Sequence, residues 1–212
     1  MKEIFNNWFY EPMVSILHYL YATTGDVGLS IIILTVLIRV VLYPLFYRGA
    51  KDQLALQSLQ PKIKELQERY KDDKERQAKE IMALYKENKT NPFSGFLVLL
   101  VQIPIFLSLF YTFKDGAADS WFDSFSLLGL IDLKSGSIPL TILAAALQYL
   151  QLKMAAKAAK SPTPAFLEWL GPGLTIVVLW SLPGALALYW SISNLFSLFQ
   201  QWYLNRKLSL KS

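Results

Sequence analysis

Arg39 lies inside GLSIIILTVLIRVVLYPLFY (28–47), a stretch with no other charge and long enough to cross a lipid bilayer. A cation at the centre of such a helix costs roughly 2.5–3.5 kcal/mol on insertion-based scales. Long basic side chains avoid that cost near helix ends by reaching back to the headgroups. Arg39 is nine residues short of Arg48, where dense charge begins, and that is about 13 Å of helix at 1.5 Å per residue. Snorkelling over that distance is the weaker reading. The stronger one is that Arg39 faces a polar, water-accessible cavity shared with other helices.

The rest of the chain supports a membrane setting. Hydrophobic residues make up 53% of the sequence, and they gather into runs too long for the core helices of a soluble domain. Five spans are expected: 28–47, 92–113, 138–156, 166–182 and 185–204. The segments between them differ in charge. Region 48–91 carries eleven Lys or Arg and eight Asp or Glu. Region 157–165, with flanking Lys153, and the tail 205–212 add six more basic residues. Segment 1–27 has only Lys2, and 114–137 has Lys114 and Lys134 beside four Asp. With Arg39 set aside, seventeen basic residues fall on one face and three on the other. The positive-inside rule puts 48–91, 157–165 and the C-terminus in the cytoplasm and the N-terminus outside. The acidic residues of 48–91 nearly balance its basic ones, so the charge reads as a topology signal rather than a nucleic-acid surface. The absence of Cys excludes disulfides, thiolate metal sites and a lipoprotein anchor. The first 27 residues show no small-residue cleavage site and are not expected to be a removed signal peptide.

Phe5, Trp8, Phe9, Met13, Ile16, Leu17 and Leu20 recur at helical spacing around Pro12, as in an amphipathic helix lying in the outer interface. In 48–91, Leu59, Ile63, Leu66 and Tyr70 follow the steps of a coiled-coil seam. After the charged turn KDDKER (71–76), Ala78, Ile81, Met82 and Tyr85 resume helical spacing. The pattern predicts an antiparallel hairpin of about three turns per arm, closed by Asn91 as N-cap and Pro92 as the first residue of the next span. In the fourth span, Gly171-Pro172-Gly173 is expected to kink or delay the helix. Pro183-Gly184 then makes a tight hairpin with the fifth.

The fifth span places Trp190, Asn194, Ser197 and Gln201 on one side, flanked by Tyr189, Ser193 and Gln200. Such side chains need partners in a dry bilayer. Hydrogen bonding between helices is the leading explanation for Ser193 and Ser197, and an equal contender for Asn194. Gln102, Gln148 and Gln151 on the second and third spans extend the polar set around Arg39. Enzyme signatures are missing. His18 is the only histidine, and no phosphate-binding glycine loop occurs. The middles of the spans hold no carboxylate, which argues against a proton-relay pump. Arg39 stays protonated and can act only as a fixed charge. No cofactor and no metal are expected.

Three segments carry a family resemblance: LTVLIRVVLYPLFYRGAK (34–51), LQPKIKELQERYKDDKERQAKEIMALYKENKTNPFSGFLVLLVQIPIFLSLFY (59–111) and WSLPGALALYWSISNLFSLFQQWYL (180–204). In their order and spacing the chain resembles the YidC family of membrane protein insertases, of the Oxa-type superfamily, in a short form without a large extracytoplasmic domain. The resemblance implies an all-α integral membrane protein. Five transmembrane helices would surround a hydrophilic groove, with a cytoplasmic helical hairpin and an interfacial N-terminal helix. It implies a groove residue at Arg39, with Gln102, Gln148, Tyr189, Trp190 and Asn194 beside it. It also implies nascent membrane proteins and the lipid bilayer as partners. The ribosome, signal recognition components and a Sec-type translocon are further contacts that it suggests, with no direct nucleic-acid binding. The bacterial inner membrane is the implied location. Only three basic residues follow the last span, which argues against ribosome docking through a lysine-rich tail. The alternative is a small anion channel or transporter with Arg39 as the substrate-binding charge. The lack of internal repeats and the presence of the charged hairpin weigh against it.

Overall fold

The computed structural model describes residues 2–114, 121–159 and 165–209. Asp115, Asp119, Lys160 and Lys211, which entered the charge argument, lie outside the described residues. The chain begins with α1 (Lys2–Phe5), a π-helical turn (Asn6–Tyr10) and α2 (Glu11–Thr24). The π turn answers Pro12. Pro12 lies at the start of α2, and the Glu11 N–H reaches back five residues to the Asn6 carbonyl instead of four. Gly25, at φ 67°, closes α2 in the left-handed conformation that suits a helix C-terminus. Asp26 caps the next helix by accepting from the Leu29 N–H at 2.7 Å.

That helix, α3 (Val27–Val41), stops six residues short of the expected boundary at 47. Pro44 is the reason: it has no N–H to donate, and its ring obstructs the preceding turn. The chain bends by 71° at Leu42 and restarts as α4 (Tyr43–Arg69). Helix α4 is unbroken for 27 residues, about 40 Å. The first arm of the hairpin is therefore much longer than three turns and begins within the apolar run. The second arm is α5 (Lys74–Glu87), N-capped by Asp73. Leu59 and Ile63 are buried as the heptad predicts, but Ala78 and Met82 point outward. Gln77, Ile81, Leu84 and Tyr85 form the sheltered side of α5, and the Gln77 amide donates to the Gln67 carbonyl of α4. Helix α5 has no fully buried residue; of its expected seam, Ile81 and Tyr85 fall on the sheltered side, and Gln77 and Leu84 take the places expected of Ala78 and Met82.

Helix α6 (Ser94–Lys114) follows. Asn91 accepts from the Phe93 N–H, so Pro92 lies in the turn before the helix rather than in its first position. Next come a small antiparallel hairpin, β1 (Ser126–Leu127) with β2 (Ile131–Asp132), and then α7 (Ile138–Ala159), α8 (Ala165–Leu179) and α9 (Gly184–Ser209). The strands correct the all-helical expectation. Leu128 and Gly129 both take positive φ in the connecting turn, the geometry that joins two strands tightly. Helix α8 runs through Pro172 but ends at Leu179, short of 182.

Among the described residues, α6 alone is long and apolar enough to cross a membrane by itself, and the bent α3–α4 pair qualifies as a broken span. The 15 residues of α8 reach only about 22 Å. Helix α9 is long, but its Asn, Gln and Ser residues dilute its apolar character. Large apolar side chains nevertheless cover much of the outside, among them Val40 and Val41 on α3, Ile142 on α7, Val177 on α8 and Phe199 on α9. In water such a surface would aggregate, whereas in lipid it is the natural exterior.

Helix α9 is the centre of the bundle, packed chiefly against α7 and α3, and α8 leans on α7. The buried core, including Val27, Ile31, Leu109, Leu133, Leu140, Leu186 and Tyr189, gathers at one end. There the strands form a cap. Gly28 admits Leu127 so closely that a Cβ would stand 2.6 Å from it. The first N–H groups of α9 donate to the cap, from Gly184 to the Ser135 carbonyl and from Ala185 to that of Leu133. The second carboxylate oxygen of Asp26 accepts from the Leu128 N–H, pinning the turn to α3. Within the cap, the Ser135 hydroxyl and then the Lys134 N–H bond to Asp132 and hold its carboxyl below the usual carboxylate range.

Candidate functional site

Away from the cap the core gives way to a cavity of about 540 Å3. It is lined by the last turn of α3, the root of α4, the start of α6, the middle of α7 and the middle of α9. Pro92, Gln53 and Leu56 stand at its hairpin side. Close packing at the root shapes the wall. Gly49 of α4 meets Val98 of α6 at a distance that a Cβ would shorten to 2.6 Å. Leu54 packs on Leu204 of α9 together with Tyr47 and Ala50.

Arg39 is in this groove and only 7% exposed. It sits in the last turn of α3, where the helix dipole favours a cation. Its Nη1 donates to the Ser197 hydroxyl at 3.1 Å, and Ser197 in turn donates to the Ser193 carbonyl. Its Cζ stands 4.2 Å from the centre of the Phe46 ring. Among the described residues Arg39 makes no salt bridge, and none of those lining the groove is acidic. Arg39 is also the only charged residue among them.

The other expected site residues separate into three kinds. Gln102, Gln148, Trp190 and Asn194 line the groove with Arg39. Tyr189 does not. At 2% exposed it belongs to the core below the groove floor, where its hydroxyl accepts from the Gln102 amide. Gln148 and Asn194 reach the groove but also bind helices together. The Thr175 hydroxyl of α8 donates to the Gln148 side chain, and the Asn194 amide donates to the Ala144 carbonyl of α7 at 3.0 Å. Ser191 and Asn205 repeat that link along the same seam, to the carbonyls of Leu140 and Met154. Asn194 thus bridges two helices and lines the groove at once. Trp190 packs edge-on against Phe106, with ring centres 5.6 Å apart, and its indole N–H is sheltered without a protein partner. Gln200 and Gln201 also line the cavity, and the Gln200 amide nitrogen is likewise unmatched. Sequence reasoning missed Phe46, Gly49 and Gln53. The first two are apolar residues in or beside an apolar run and carry no signal of their own.

The chain is thus a helical bundle with an apolar exterior, closed by the cap at one end and holding a polar groove at the other, in which Arg39 is the one charged residue among those described. Comparison with known proteins gives the family. The chain matches the family described as 60Kd inner membrane protein over residues 19–211, and it belongs to that family. It is 34% identical over 200 residues to the membrane protein insertase YidC of Francisella tularensis subsp. novicida (strain U112), and equally to that of subsp. tularensis (strain SCHU S4 / Schu 4). Those alignments cover 94% of this chain and 36% of each relative, so the chain spans about a third of the length of the curated relatives it matches. A solved structure, described as an active YidC insertase crystal structure with the first transmembrane domain resolved, superposes with a TM-score of 0.68. Its identity is 26%, over 94% of this chain and 46% of that one.

Proposed function

We propose that the protein is a membrane protein insertase and chaperone that receives the polar tail of an incoming membrane protein in the groove and releases the adjoining apolar segment into lipid. The observation that carries this reading is Arg39: a buried cation with no carboxylate partner among the described residues, in a groove whose other described walls are neutral. Isolated charges are expensive to bury, and the expense is reduced when water or an incoming anion shares the groove. A translocated tail with an acidic residue is drawn to Arg39 through an effective dielectric well below that of bulk water. Burial of about 20 apolar residues of the substrate in lipid supplies the driving force, so no nucleotide is needed at the protein itself.

In this reading α3, α6, α7, α8 and α9 each cross the bilayer, with the cap outside and the α4–α5 hairpin in the cytoplasm. The apolar faces of α3, α6 and α9 guide the substrate into lipid, and the hairpin receives it from the ribosome, signal recognition components or a Sec-type translocon. The short helix α8, exposed along most of its length, lets the bilayer thin beside the groove.

Reconstitution into liposomes tests the reading. Purified protein should render a small single-span substrate resistant to added protease. Arg39→Lys should keep much of that activity, while Arg39→Ala should lower it about tenfold for substrates with acidic tails and far less for neutral, strongly apolar ones. Solute flux without insertion would overturn the proposal in favour of an anion transporter. Equal insertion of acidic-tailed and neutral-tailed substrates by Arg39→Ala would remove the electrostatic role.

A further inference from the structure

We propose that Phe46 is a positioning residue: it holds the Arg39 guanidinium in the groove without neutralising it. The inference rests on the insertase reading and specifies how its charge is kept usable. A buried arginine is ordinarily held by a carboxylate, which cancels its charge. Here the holding groups are both neutral, the Phe46 ring at 4.2 Å and the Ser197 hydroxyl at 3.1 Å. The face of an aromatic ring attracts a cation through its quadrupole, most strongly where water is scarce. Phe46 is 5% exposed and Arg39 7%, so this contact is sheltered. A ring and a hydroxyl lower the cost of the buried charge while leaving its field free for an incoming anion.

The bend at Leu42 is what makes the contact. In a straight helix, residues 39 and 46 would share a face but stand about 10.5 Å apart along the axis. The 71° turn between α3 and α4 folds the second over the first and brings ring and guanidinium together. Without the ring, the flexible Arg39 side chain is free to swing along the groove towards the hairpin-side headgroups, and its charge leaves the place where the tail must bind.

The experiment replaces Phe46 with 4-fluoro-, 3,5-difluoro- and 3,4,5-trifluorophenylalanine, which weaken the ring's attraction for a cation with little change in size. The readout is the ratio of acidic-tailed to neutral-tailed substrate insertion in liposomes. The ratio should fall stepwise across the series, by about threefold to tenfold at the trifluoro ring. Phe46→Leu should lie at the bottom, and Phe46→Tyr should stay near wild type. A flat ratio across the fluorinated rings, with or without loss of activity in Phe46→Leu, would reduce Phe46 to a packing residue and overturn the proposal. If wild type itself shows no preference that Arg39→Ala abolishes, the electrostatic reading fails first, and this inference falls with it.

Discussion

Tyr189 and Gln102 show how a single hydrogen bond divides core from groove. The Tyr189 hydroxyl is fully enclosed, and the Gln102 amide that donates to it also faces the cavity. Tyr189→Phe leaves the ring packing intact but strips the amide of its acceptor, at a cost of about 1–2 kcal/mol for an incompletely solvated donor. Thermal unfolding in detergent should register that loss, while insertion by the variant that remains folded should stay within about twofold of wild type, because Tyr189 is not part of the groove wall. A large insertion defect at full stability would return Tyr189 to the site. Residues of this kind mark the limit of reading a sequence. Arg39 was legible because a lone charge in an apolar run has few places to go. Gln102, Trp190 and Asn194 were legible because polar residues at helical spacing need a common environment. Tyr189 shares a helix with Trp190 and falls on the other side of the groove floor, which helix periodicity alone does not resolve. Phe46 was illegible because its role depends on the bend at Leu42, and nothing in its own chemistry separates it from neighbouring apolar residues.

Among the elements, α4 departs most from its expected form. The first arm of the expected helical hairpin is instead one long helix that starts beside Arg39 and continues past the groove to the hairpin tip. Pro44 carries the signal for the break, but a proline near the end of an apolar run does not by itself distinguish a kink within one span from the end of a helix. The root of α4 is structural: Gly49 meets α6, and Leu54 packs on α9. The distal part is different, since α5 has no fully buried residue and its surface is mostly wet. Replacing 58–88 with a short flexible linker should therefore leave the membrane helices assembled, with an unfolding temperature in detergent close to wild type, and lower insertion severalfold. Extending the excision back to 52 removes Leu54 and should add a stability loss of about 2–4 kcal/mol, the usual scale for emptying a large apolar site. If the 58–88 replacement alone prevents assembly, the hairpin tip is part of the folding unit and its role as a receiving arm loses its basis.

Across the whole molecule the cap gives the strongest geometric argument for topology. The N-termini of α3, α7 and α9 and the turn after α8 all meet at the strand hairpin: Asp26 bonds Leu128, Gly136 lies against the Trp180 carbonyl, and Gly184 bonds Ser135. The end of α6 joins them through Phe113, which stacks on Phe122. Five helices that each have one end in the same cap must each run away from it, and the proposed reading has the cap outside. That arrangement predicts which positions a membrane-impermeant reagent can reach, and a chain without cysteine allows clean single substitutions. Cysteine at Glu11, Leu130 or Ser181 should react with a charged maleimide in intact spheroplasts. Cysteine at Lys71, Lys157 or Ser212 should react only after the membrane is opened. Position 181 is decisive for α8 and α9, the two helices whose apolar character is cut short by length or by polar residues. Labelling of 157, 181 and 212 from the same side would mean that α8 and α9 do not cross, and a groove built on α9 could not then lie within the bilayer. Labelling of 181 from outside, with 157 and 212 protected, places Arg39 and its ring of amides at membrane depth, where an unpaired cation has the leverage that insertion requires.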